Sequence, residues 1–417
     1  MSRKSMEAGT LALPWPSSGE RARKRSGSDG SVLAVTVVLA LVGLVMVYSA
    51  SAVVAGNRFH DSIYFLKRQL AWLAFGFLLL HVASRLDYTA WRKLALPLLA
   101  VTTVLLIAVL LPSLGVVAKG ARRWLRFGPL SMQPAEMAKL TAVLFMAAYL
   151  TKKEGRVTEF APAVLPPILV VGLLGGLLML QPDLGTAVVI GLVTFGLLFL
   201  GGARLTHLFG LVLLVLPVAA VLMLGSSYRR QRLMTFLEPW KDPTDAGFQV
   251  TQSFLAFGSG GPFGVGLGEG KQKLFFLPEA HTDFVLALVG EELGLLGTGA
   301  IMVLFAVLVL KGFQIARRAR GPFGRYLALG ITLLIGVQVL INAGVVTGLL
   351  PTKGLTLPLI SYGGSSLVAN WVIIALLMRI SAHARRPIPR SSDDLTDTAA
   401  DSETKVMTPI TVASLVI

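Results

Sequence analysis

The residues with the clearest capacity for chemistry are ionisable groups at the ends of apolar runs. Leu277-Pro278-Glu279-Ala280-His281-Thr282-Asp283-Phe284 stands directly before a long apolar stretch, which sets Asp283 at a helix N-terminus with Glu279 and His281 within one turn. Thr282 or Asp283 can cap that helix and meet its dipole, or the Asp283 carboxylate can act as a base at the mouth of a cavity. Gln133-Pro134-Ala135-Glu136-Met137-Ala138-Lys139 puts an acid and a base at i and i+3. They form either a self-neutralising buried pair or a functional intramembrane site. In Gln181-Pro182-Asp183-Leu184-Gly185-Thr186, Asp183 is an N-cap or another wall of the same cavity. Glu291 and Glu292 follow Asp283 by about two helical turns, where a buried carboxylate needs a partner or a proton. The segment Pro351 to Ser366 holds two prolines, three glycines, Lys353 and the hydroxyls of Ser361 and Ser365, which predicts a fixed loop rather than a helix.

These residues need a scaffold, and the composition says which kind. Of 417 residues, 54% are hydrophobic and 14% charged, against about 25% charged in soluble domains. Mean hydropathy is +0.73. A soluble chain would have to cover its surface with charge, so the class is integral membrane. Apolar runs near 31–54, 67–84, 94–112, 135–151, 162–180, 184–202, 205–225, 284–311, 325–348 and 365–381 predict an all-α fold of about ten transmembrane helices, each close to the ~20 residues a bilayer requires. Residues 1–30 read as a disordered basic tail, 31–382 as the membrane domain and 383–417 as a polar tail. The first run follows basic residues and ends near Ser49-Ala50-Ser51-Ala52, like a signal peptide, but its apolar stretch is too long and continues through Val53 and Val54. Between helices 7 and 8 lies one large extracytoplasmic loop, residues 226–283, too long to be a passive connection.

An even number of spans places both termini on one side, and most of the 38 Lys and Arg then fall in segments on that side, which predicts cytoplasmic termini. Lys119, Arg122, Arg123, Arg126, Arg229, Arg230, Arg232, Lys271 and Lys273 go against this bias, as if positive charge were needed outside. The net charge of +16 fits anionic headgroups, and no nucleic-acid-reading motif accompanies it. With 0 cysteines, disulfides, thiolate metal sites and thiol nucleophiles are excluded. The run Gly258 to Lys271 is glycine-rich but departs from the phosphate-loop pattern, with Val265 and Gln272 at required positions. It reads instead as turns that let a loop approach a bundle closely.

The motifs at Leu277–Phe284, Gly290-Glu291-Glu292-Leu293-Gly294 and Pro351–Ser366 resemble those of the SEDS family (shape, elongation, division and sporulation), most closely its cell-division branch. Val45 to Ser51, Arg123-Trp124, Gln133 to Glu136, Lys139 and Gln181 to Thr186 add to the resemblance, which spans roughly 35–380. It implies a peptidoglycan glycosyltransferase polymerising lipid II on the outer face of the cytoplasmic membrane at the division septum. It also implies a class B penicillin-binding protein and other divisome membrane proteins as partners, and Asp283 as the catalytic residue. Because a pyrophosphate leaves as an anion, one carboxylate base can suffice. Arg123, Lys353 and the Arg229–Arg232 cluster, or a divalent cation such as Mg or Mn, could neutralise the phosphates. Glu136, Lys139, Glu279, His281, Asp183, Ser361 and Ser365 complete the expected substrate-binding set. The competing classes are a flippase, which calls for charge in mid-helix along a whole pathway, and a noncatalytic division scaffold, which needs no Asp283 cluster.

Overall fold

In a bilayer each backbone N–H and C=O must be satisfied within the chain, so apolar runs of this length become helices. A computed structural model describes residues 29–384, apart from 119, 129, 226, 242–246, 279 and 353. The expected tails as far as residue 28 and from residue 385 on, and Glu279 and Lys353, lie outside the described residues, while residues 30, 383 and 384 belong to helices.

The helices are α1 (Gly30–Phe59), α2 (Tyr64–Arg85), α3 (Ala90–Leu110), α4 (Pro134–Lys152), α5 (Leu165–Leu180, entered through a π-turn at Phe160–Val164), α6 (Leu184–Leu200) and α7 (Leu205–Leu224). They continue with α8 (Ser227–Leu237), α9 (Phe248–Gly260), α10 (Val285–Glu292), α11 (Gly294–Arg318), α12 (Gly321–Val346) and α13 (Gly364–Ala384). Seven of the described helices are long and apolar enough to cross a membrane, α6 and part of α7 are shorter apolar helices, and α4 carries Glu136, Lys139 and Lys152. The protein is therefore an all-α membrane protein. Two features depart from the count of apolar runs. The run at 284–311 is not one span, because the chain breaks at Leu293 and Gly294 between α10 and α11. The connection between α3 and α4 is an antiparallel meander of β1 (Gly115–Ala118), β2 (Ala121–Phe127) and β3 (Leu130–Met132).

The core lies around α4, α12 and α13. Trp371 on α13 is fully buried, as are Leu144, Met146 and Leu150 on α4. α13 lies so close to α2 that a Cβ at Gly76 would stand 2.3 Å from the Trp371 ring. α7, by contrast, leaves Leu205, Phe209, Leu213, Leu214 and Val221 exposed, the pattern of a helix whose partner is lipid.

Within the long segment 226–283, α9 and the glycine-rich stretch fold back on the bundle, the latter as its turns predict. α9 buries Val250, Thr251, Ser253 and Ala256, and the Ser253 hydroxyl donates to the Val346 carbonyl at 2.7 Å. The glycine-rich stretch after it pairs with the break between α10 and α11. Val265 and Gly266 amides donate to the Glu291 and Glu292 carbonyls, and Leu295 and Leu296 amides donate back to Gly261 and Pro262. Gly264 (φ 83°) and Gly294 (φ 68°) meet here so closely that a Cβ on Gly294 would lie 2.3 Å from the Gly264 nitrogen.

Candidate active site

Glu291 and Glu292 end α10 fully buried, and each is held by the folded-back segment. Glu291 accepts from the backbone amides of Lys271 (2.7 Å) and Gln272 (3.2 Å to its nearer oxygen). Glu292 pairs with Lys273 at 2.9 Å, takes the Ser49 hydroxyl of α1 at 2.6 Å and the Gly268 amide at 3.1 Å. Lys273 also donates to Ser49 and to the Gly268 carbonyl. The two glutamates thus bind the long segment to α1 and α10. A neutralised ion pair with its remaining lone pairs filled is how buried charge is tolerated.

Asp283 stands at the other end of α10. The N-cap is Phe284, with no side-chain capping bond, so the helix begins one residue later than expected and Asp283 lies just outside it. Three segments converge on Asp283. Its carbonyl accepts from the Asn342 amide at 3.0 Å, and the same amide donates to the Leu355 carbonyl at 2.7 Å. Its carboxylate lies against Gly354 (φ 63°), where a Cβ would stand 3.2 Å from Oδ2. Arg232 of α8 donates to the Thr352 carbonyl at 3.1 Å, holding the same loop.

The last loop is stiffened by its own hydroxyls. Ser361 Oγ accepts from the Leu357 amide at 2.9 Å, Ser365 Oγ accepts from the Gln133 amide at 3.1 Å, and Thr356 and Ser366 hydroxyls meet at 3.0 Å. The Gln69 side chain donates to the Ser361 carbonyl. His281 packs its ring on Phe65 (4.9 Å between centroids) and Tyr362 (5.8 Å), and its carbonyl takes the Tyr362 amide at 2.9 Å. Burial pushes the Tyr362 hydroxyl above the ordinary tyrosine range. Asp283, His281 and the 351–363 loop therefore come together.

The remaining candidates lie elsewhere in the network. Glu136 and Lys139 form a buried ion pair at 2.9 Å, with Lys139 beside Met146, Thr194 and Leu334 in the bundle interior. Asp183 is buried and caps α6, accepting the Thr186 amide at 3.1 Å and its hydroxyl at 3.0 Å. Arg123 donates to the Gln181 and Pro182 carbonyls beyond the C-terminus of α5, where the helix dipole favours a cation. Arg122 donates to the Leu110 carbonyl. The loop cations that run against the charge bias thus have a second use that the bias did not reveal: Arg122, Arg123, Arg232 and Lys273 hold loop carbonyls or a buried carboxylate. Arg126, Arg230 and Lys271 are exposed. Among the described residues no group of three or more His, Asp or Glu side chains is placed to hold a metal ion, so no protein ligand set for Mg or Mn is assigned.

Two contributors escaped the sequence reading. Asn342 and Gln69 are amides inside apolar spans, each 2% exposed. A polar amide amid Leu, Ile and Val was the available signal.

The cell cycle protein family that groups FtsW, RodA and SpoVE matches residues 30–386. The chain belongs to this family. A probable peptidoglycan glycosyltransferase FtsW of Geobacter metallireducens is 48% identical over 357 residues, covering 86% of this chain and 95% of that protein. Stage V sporulation protein E of Bacillus subtilis is 41% identical, covering 87% and 99%. Among solved structures of the FtsW, RodA and SpoVE family, the rod shape determining protein RodA of Thermus thermophilus superposes with a TM-score of 0.64 at 29% identity, covering 86% of this chain and 98% of that one. A chain of a peptidoglycan synthase complex that coordinates polymerization and crosslinking superposes with a TM-score of 0.71 at 33% identity, covering 86% and 99%.

Proposed function

We propose that this protein is a peptidoglycan glycosyltransferase of the division type, polymerising lipid II into glycan strands at the outer face of the cytoplasmic membrane. The observation that carries the reading is the convergence on Asp283 of α12, the 351–363 loop and, through that loop, Arg232. The relatives named FtsW support the reaction class.

Asp283 takes the proton of the acceptor sugar hydroxyl as its oxygen attacks the donor's anomeric carbon. The new glycosidic bond forms while the bond from that carbon to the pyrophosphate oxygen breaks, and the lipid pyrophosphate leaves as an anion. Loop cations stabilise the charge that develops on it, with Lys353 the nearest in sequence to the Gly354 that faces the carboxylate. Arg123, Glu136, Lys139, Asp183, Ser361 and Ser365 act on this reading by shaping and holding the site, and His281 and Glu279 flank the base. The lipid tail stays in the bilayer beside the bundle. Both termini are cytoplasmic, and a class B penicillin-binding protein cross-links the emerging strand.

The test compares glycan strands on gels from purified wild-type and Asp283→Asn protein, each with and without the penicillin-binding partner, in detergent so that transport cannot limit synthesis. The Asn side chain keeps size and removes the base, so polymerisation should fall on the order of 100-fold or more while lipid II binding persists. Near-normal synthesis by the Asn variant would remove Asp283 from the chemistry, and binding without polymerisation by the wild type would favour the flippase.

A further inference from the structure

We infer that Asn342 is a positioning residue for Asp283: its amide ties the backbone of Asp283 to the loop that faces the Asp283 carboxylate. The inference rests on Asp283 being the base. Asn342 sits on α12 in an apolar stretch, 2% exposed, where an amide costs free energy to bury. Both of its hydrogen bonds run to carbonyl oxygens, so the NH2 group must be what faces them, one hydrogen toward Asp283 at 3.0 Å and one toward Leu355 at 2.7 Å. The Oδ1 of the same amide has no hydrogen-bond partner among the described residues, so the donors alone account for its placement.

The two tethered carbonyls belong to segments far apart in sequence. One precedes α10 and carries the carboxylate. The other follows Gly354, where a Cβ would stand 3.2 Å from that carboxylate. A single side chain on a well-buried helix therefore sets the separation between the base and the opposite wall. Neither segment is a regular element at this point, so neither can fix that separation by its own hydrogen-bond ladder. Displacement of a reacting group by about 1 Å is enough to cost on the order of 100-fold in rate, and the substrate's remote contacts need not change when the base shifts. The expected signature is thus a fall in kcat without a matching rise in KM.

The experiment measures polymerisation against lipid II concentration for full-length wild type, Asn342→Leu, Asp283→Asn and the double variant. Amounts are matched by size-exclusion profile and melting midpoint in detergent. Asn342→Leu keeps the branched shape at somewhat larger volume and removes both donors; Asn342→Ser, smaller and still polar, is read the same way if the leucine variant does not fold. Expected are a kcat reduced about 10- to 100-fold, a KM within about threefold of wild type, and a double variant no slower than Asp283→Asn alone, since a tether has nothing to position once the base is gone. A kcat within about threefold of wild type, or losses that multiply in the double variant, would overturn the positioning role while leaving an inactive Asp283→Asn in place. An active Asp283→Asn would instead overturn the base reading and this inference with it.

Discussion

Replacing Lys273 by Met tests whether the folded-back long segment depends on its buried ion pair. The Lys273 side chain is 8% exposed and that of Glu292 0%, so the substitution leaves a carboxylate out of water without its cation. Breaking such a pair costs about 3–5 kcal/mol. Glu292 keeps the Ser49 hydroxyl and the Gly268 amide, which places the loss near the lower end, about 3 kcal/mol. At roughly 2.1 cal/mol/K per residue over the membrane body, that is a fall of about 4 °C in melting midpoint. The double change Lys273→Met with Glu292→Gln removes both charges and keeps one acceptor oxygen, which at the Oε2 position serves both Ser49 and Gly268, so it should recover most of the loss, a coupling of about 2–3 kcal/mol. The assay is thermal unfolding in detergent, with limited proteolysis of 261–276 as a local readout. A Lys273→Met protein as stable as wild type, or a double variant as unstable as the single, would refute the reasoning.

The pair in α4 obeys the same logic: Lys139→Ala should destabilise more than Lys139→Ala with Glu136→Gln, measured by melting and by glycan synthesis, because only the single change strands a charge. Equal damage in both would mean that Lys139 serves the substrate directly. The cysteine-free chain also permits a clean test of orientation. Single cysteines at the exposed positions Ser62 and Glu269 should react with an impermeant maleimide from outside intact cells, and one at Thr158 should not; the opposite pattern would invert the site.

Helices were legible in the sequence because bilayer burial leaves long apolar runs, and each of the ten runs coincides with helical structure. The meander at 115–132 was not, because strands of 3 to 7 residues carrying Arg122, Arg123 and Arg126 present no apolar run to count. The break at Gly294 was hidden for the converse reason: apolar runs flank the Glu291-Glu292 pair on both sides and read as one span, and only the Gly264 backbone against Gly294 shows why the helix stops. At the site, Asp283 and its loop could be read from position and turn residues. What those residues touch could not. Arg123 reads as a free cation until the Pro182 carbonyl is placed beside it, and Asn342 vanishes inside a hydrophobic stretch until its two acceptors, 59 and 13 residues away in sequence, are brought together by the fold.

The brevity of α10 makes its phase as important as its composition. Eight residues at about 1.5 Å each separate the Asp283 end from the glutamate end by only about 12 Å, and both ends are fastened to other parts of the chain. Adding or removing one residue between Val285 and Val289 would rotate the glutamates by about 100° relative to Asp283. Glu291 would then miss the Lys271 and Gln272 amides, and Glu292 would lose Lys273 and Ser49, unless Asp283 gave up its own place. Side chains along this short rod can be exchanged for others of like volume, but its length is fixed by two anchorages that share a single angular setting.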